Sequence, residues 1–182
     1  MPQDITVTCI SEKSGPHNSR ATTAILLAVL TLWVGPLARG EQNAVDEYNV
    51  PDEVSRCTKT LGSGYTISGR INPFYLRGDF DGSGKEGYAV LVRSGNQQGV
   101  MFCRGGTAKP VVLGAGTEFN KMKDLNFSAW HVHPKDRRIE RGVGEGKPPT
   151  LLGDAILLEW EETASAVVYW NGKQFVWYQQ GD

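Results

Sequence analysis

The sequence predicts a mainly β domain of α+β type, with antiparallel sheets in a sandwich-like arrangement and one short N-terminal helix. Three observations lead there. Short apolar runs with strand character follow one another along the chain. Glycine and proline punctuate them, with 22 and 9 in 182 residues, which fits a chain rich in turns. Helical spacing recurs only over residues 50–61 of the region that folds, where Val50, Val54, Cys57 and Leu61 fall on one face.

The elements follow in order. Pro51 suits the first turn of that helix, Asp52 and Glu53 suit its positive end, and Gly62 and Gly64 stop it. Strands are expected at 65–69, 73–80, 88–93, 99–104, 109–113 and 127–133. The run 88–93 is apolar on both faces and reads as a central strand covered from two sides. Gly105 and Gly106 mark a turn. Residues 134–150 show no periodicity and hold several glycines and prolines, so they read as a long connection. A meander closes the chain at 154–161, 164–170 and 173–178, with Asn171-Gly172 as a type I′ hairpin signal.

Composition limits the function. A formal charge of −1 lacks the basic excess that a nucleic-acid surface needs. The apolar stretch 24–34 follows Arg20 and is closed by Pro36 and Arg39, with small residues at Ala38 and Gly40. This is the pattern of a secretory signal cut before Glu41, and the stretch is short for a span of ~30 Å of hydrocarbon. Residues 1–40 therefore read as a signal peptide with an upstream extension, and 41–182 as a single β-rich globular domain in the periplasm or secreted, with no membrane span after cleavage. Cleavage removes Cys9 and leaves Cys57 and Cys103, a pair expected to form a disulfide in an oxidising compartment.

One loop carries acidic chemistry. Asp79, Asp81 and Ser83 alternate with small or turn-forming residues, and Gly82 and Gly84 allow a tight curl. Such spacing can aim three side-chain oxygens at one centre, and a Ca²⁺ ion there would also need the Lys85 backbone carbonyl and water. An EF-hand is excluded, because Val90 stands where its bidentate acid belongs. The same oxygens could instead accept backbone N–H groups in a plain turn. With Asp79 and Asp81 on one side, Phe80 between them is expected to point into the core.

Residues 75–92 resemble a single degenerate unit of the FG-GAP or VCBS-type repeat, whose calcium loop reads Asp-x-Asp-Gly-Asp-Gly-x-x-Asp before an apolar strand. Asp79, Asp81, Gly82 and Gly84 match; Ser83 and Gly87 stand where the repeat has Asp. The whole chain is similar to small exported bacterial proteins of uncharacterised function that embed one such loop and end in a hairpin like 169–175. The resemblance implies calcium at Asp79, Asp81, Ser83 and Lys85, and the two missing carboxylates imply weak affinity.

Other constellations are weaker. His131 and His133 share one strand face, but zinc would need a third ligand, with Asp136 the nearest candidate. The glycine-rich stretch 142–147 fails as a phosphate loop, because Arg141 and Pro148 stand at its first glycine and its Ser/Thr positions. No Gly-x-Ser-x-Gly elbow and no Cys-x-x-Cys pair occurs. Trp160 alternates with Ile156 and Leu158 and belongs to the core, as do most of the C-terminal rings, with Trp170 and Tyr178 freer. The expected function is an exported non-catalytic binding or structural module whose partner is an envelope or extracellular protein. The alternatives are a metal-dependent hydrolase using His131 and His133, and an inhibitor or immunity-type protein.

Overall fold

The computed structural model describes residues 45, 49–107, 109–142, 145–161 and 164–180; the expected signal segment lies outside them. Helix α1 spans Asp52–Leu61, with Asp52 and Glu53 in its first turn, Lys59 in its last, and Gly62 ending it at φ 86°. Nine strands follow: β1 (Thr66–Ile67), β2 (Tyr75–Gly78), β3 (Gly87–Ser94), β4 (Gln97–Cys103), β5 (Val111–Gly114), β6 (Ala129–His133), β7 (Ala155–Glu159), β8 (Ser165–Trp170) and β9 (Phe175–Gln179). They form two antiparallel sheets, one of β1 to β5 and one an uninterrupted meander from β6 to β9. This is the mainly β, sandwich-like fold that the sequence predicts.

Strand β3 is the centre of the first sheet, and its alternation feeds two cores. Ala89 and Leu91 face the second sheet, where they pack with Val100, Phe102, Ile156, Leu158 and Phe175. Val90 and Val92 face the other way and pack with Met101 and Cys103 beneath Val54 and Cys57 of α1. A third cluster lies on the outer face of the second sheet, where Ile139 of the 134–150 connection and Leu151 just beyond it cover Ala155, Val167 and Tyr178. That connection, expected as a flexible loop, is pinned where it is described: Ile139 is buried, and Tyr178 Oη donates to the Gly146 carbonyl at 3.1 Å.

The edge beside β3 is broken. β1 pairs with Val92 and Arg93, and β2 with residues 87–90 of the same strand. Between them Ser68 N–H donates to the Leu91 carbonyl and Leu91 N–H donates to the Phe74 carbonyl, so residues 69–73 leave the ladder at one position. This excursion reaches the second sheet. Trp130 Nε1 donates to the Pro73 carbonyl at 2.7 Å, Arg70 donates to the Phe127 carbonyl, and Ile71 and Phe74 pack into the core between the sheets. The β2/β6 side of the sandwich is thereby closed.

Two turns differ from expectation. Trp170 pairs with Phe175, so Asn171-Gly172 lies in a four-residue loop and not in a two-residue type I′ turn. Asn171 Oδ1 accepts the N–H groups of Lys173 and Gln174, and only Gly172 has positive φ; the side chain has taken over the role of the turn backbone. Type I′ character occurs instead at Asn120-Lys121, both at positive φ, between Phe119 and Met122, which exchange N–H···O bonds.

Cys57 and Cys103 form a disulfide between α1 and the end of β4, with Cα atoms 6.1 Å apart and 46 residues of separation. Closing such a loop removes chain entropy from the unfolded state worth about 4 kcal/mol. Double replacement with serine is expected to lower the unfolding free energy by about that amount in urea titration; an unchanged midpoint would show that α1 holds its place by packing alone.

Candidate functional site

The acidic loop joins β2 to β3 and is curled around its own carboxylates. Gly84 N–H donates to Asp79 Oδ2 at 2.9 Å, Ser83 N–H to Asp81 Oδ1 at 3.1 Å, and Lys85 N–H to Ser83 Oγ at 3.3 Å. Phe80 points into the core at 2% exposure, as its position between the two acids predicts. Asp79 Oδ1 is buried and has no partner. The side-chain oxygens proposed for calcium are thus mainly acceptors for the loop's own N–H groups, and Asp79 Oδ1 is the one left over.

The loop has a partner that sequence reasoning missed. Asp154, 75 residues on from Asp79, accepts the Asp79 N–H at 3.0 Å and the Lys135 N–H at 3.1 Å, while its own N–H donates to the Asp79 carbonyl at 2.7 Å. Gly82 and Gly153 face each other so closely that a Cβ on Gly153 would overlap the Asp79 carbonyl oxygen and the Gly82 nitrogen. The glycines beside acidic residues were visible in the sequence; that they meet across two sheets was not.

From this anchored loop Asp81 Oδ2 reaches Arg104, 3.9 Å away, and the guanidinium carbon of Arg104 lies 4.8 Å from the centre of the Trp170 ring. Arg104 Nε is buried without an acceptor. Arg104 stands at one end of an open groove of about 700 Å³, between β5 and β9, on the side opposite the closing excursion. Val111 and Leu113 form one wall, and Lys173 through Trp177 form the other. Phe102 and Phe175 stack below with centroids 3.8 Å apart, and Phe175 meets Trp170 edge to face. Lys109 and Lys173 are exposed at the rim, and neither ammonium has a carboxylate partner among the described residues. Glu118 is the acid on this surface.

The aromatic cluster therefore divides. All three tryptophans are half-buried against the core between the sheets, and Trp170 and Trp177, unlike Trp160, also line the groove. Tyr178, expected to be freer, is buried against Ile139. The cue for the groove in sequence was the density of rings near the C-terminus; the cations opposite them come from distant segments.

His131 and His133 share the outer face of the second sheet. His131 Nδ1 lies 3.7 Å from Glu159 Oε2 and is exposed. His133 is only 4% exposed, because the connection folds over it and Nε2 donates to the Arg137 carbonyl at 3.0 Å. Arg137 and Arg138 border the same small hollow, and Asp136 is not among its walls. Among the described residues no three His, Cys, Asp or Glu side chains converge on one point. A further concavity of about 550 Å³ lies beside the end of α1, bordered by Val45, whose neighbours 46–48 lie outside the described residues.

No protein-family model matches the chain, and neither the curated proteins nor the solved structures give a match. No helix among the described residues is long and apolar enough to cross a membrane.

Asp154→Ala removes the acceptor of two N–H groups and is expected to cost about 1–3 kcal/mol in chemical denaturation. Gly153→Ala is expected to cost a similar ~1–3 kcal/mol through overlap. Gly64→Ala, where an added Cβ meets nothing within 4 Å, serves as the neutral control. Equal stability of all three would refute the anchoring of the loop by 153–154.

Proposed function

We propose that this chain is an exported, non-catalytic binding module, periplasmic or secreted, whose ligand surface is the groove between β5 and β9. The observation that carries the reading is the set of cations around an aromatic floor: Arg104 over Trp170, with Lys109 and Lys173 unneutralised at the rim. A concave surface with an apolar base and a few placed polar groups is the usual form of a binding site. The apolar run 24–34 and the Cys57–Cys103 pair support export.

The acidic loop serves this module structurally, with or without a cation. Its hydrogen bonds fix Asp81, and Asp81 orients Arg104 toward the groove. The melting midpoint is expected to be the same in about 10 mM calcium as in chelator; a rise of a few degrees would place a weakly bound cation at Asp79 Oδ1.

Binding itself is tested by exposing the disulfide-bonded protein and a Lys109→Glu/Lys173→Glu variant to arrays of peptides and oligosaccharides. Ligands retained by the wild type are expected to weaken about tenfold or more on the variant, since rim charges steer and hold an oppositely charged partner. Ligands held equally by both proteins would move the site away from this groove.

A further inference from the structure

The groove's walls differ in a way that identifies its occupant. Val111 and Leu113 of β5 alternate, so β5 presents a side-chain face. On the other wall Lys173 and Gln174 belong to the turn, their N–H groups held by Asn171 Oδ1, and the consecutive Phe175, Val176 and Trp177 belong to β9. Consecutive residues point to opposite faces of a sheet, so a surface lined by all of them is the edge of the strand. β9 ends the order β6-β7-β8-β9 and pairs with β8 alone among the described strands. An edge of this kind carries outward N–H and C=O groups able to accept another strand. The available length is set at both ends: the Asn171 turn begins it, and Gly142 closes on the Gln179 carbonyl beyond it.

The charge and the rings narrow the choice further. The groove's lining holds three cations, Arg104, Lys109 and Lys173, against one acid, Glu118, and of the three Arg104 also reaches Asp81. Trp177 is tilted against Trp160 and meets Phe119 at 62°, while Arg104 lies over Trp170, so the rings form a ribbed floor and not a flat platform for a sugar. Ribs of this kind suit side chains inserted at every second position of an extended chain.

Resting on the groove as the binding surface, we propose that its occupant is an extended acidic peptide segment of a partner protein, added as a further strand on the edge of β9 at residues 175–177. Alternate apolar side chains enter between Val111 and Trp177, and the acidic ones meet Lys109 and Lys173.

The probe is a labelled peptide of about eight residues alternating Val and Glu, long enough to span a typical strand. It is titrated by fluorescence anisotropy into the disulfide-bonded protein, beside a Val/Lys counterpart and a Val/Glu peptide N-methylated at alternate residues. The Val/Glu peptide is expected to bind at least about tenfold more tightly than either control, and to weaken as salt rises. The Lys109→Glu/Lys173→Glu variant is expected to reverse the preference toward Val/Lys, a gain that a damaged fold would not produce. Equal binding of the N-methylated peptide would overturn strand addition, and equal binding of Val/Lys would overturn the acidic preference. Failure of the Val/Glu peptide while the arrays yield an oligosaccharide sensitive to the variant would overturn the peptide and leave the groove as a binding surface. Self-association of the protein through β9, seen in sedimentation, would replace the foreign peptide by a second copy of this chain.

Discussion

Phe102 and Phe175 lie face against face where the two sheets meet, and several unrelated parts of the molecule are built outward from that contact. Phe102 belongs to β4 and Phe175 opens β9, so the pair joins the first sheet to the last strand of the second. Phe80 meets Phe102 edge to face and brings the acidic loop down onto the core. Trp170 meets Phe175 in the same manner and supplies the ring beneath Arg104. Arg104 turns back to Asp81, next to Phe80, which completes a circuit of six side chains. Large rings contribute both buried area and preferred geometry, so such a circuit fixes positions as well as adding stability. Its outer rim is the end of the groove.

Much of the architecture could be read from the sequence, because local patterns report local environments. The apolar run of β3 has no polar face, and only a strand covered on both sides needs that. Cys57 sits on the buried stripe of its helix, so its encounter with Cys103 required only that the helix lie on the sheet. Phe80 between two acids had one direction open to it. Where the reading failed, a side chain substituted for backbone. Asn171 accepts two N–H groups and widens a turn that its residue pair suggested would be tight. The burial of His133 could not be read either, because nothing in its strand reveals that the 134–150 connection folds back over it.

The groove was not legible for a different reason. It belongs to no segment. Arg104 and Lys109 follow β4, Lys173 lies in the last hairpin, and the two walls come from different sheets. Periodicity along a chain says which way a side chain faces, not which remote strand edge lies opposite. Asp154 was hidden in the same way, since its value lies in the Asp79 and Lys135 amides it brings together.

The excursion at residues 69–73 has a bearing on how many molecules can join. It interrupts one margin of the first sheet and bonds to the segment around the start of β6, so the first sheet offers no continuous ladder on that flank. A sheet open on both margins can pass pairing from molecule to molecule without end, which is how fibres grow. Interrupted at one margin, the first sheet cannot pass pairing from molecule to molecule, although β5, β6 and β9 each remain an outer strand paired on one side alone among the described strands.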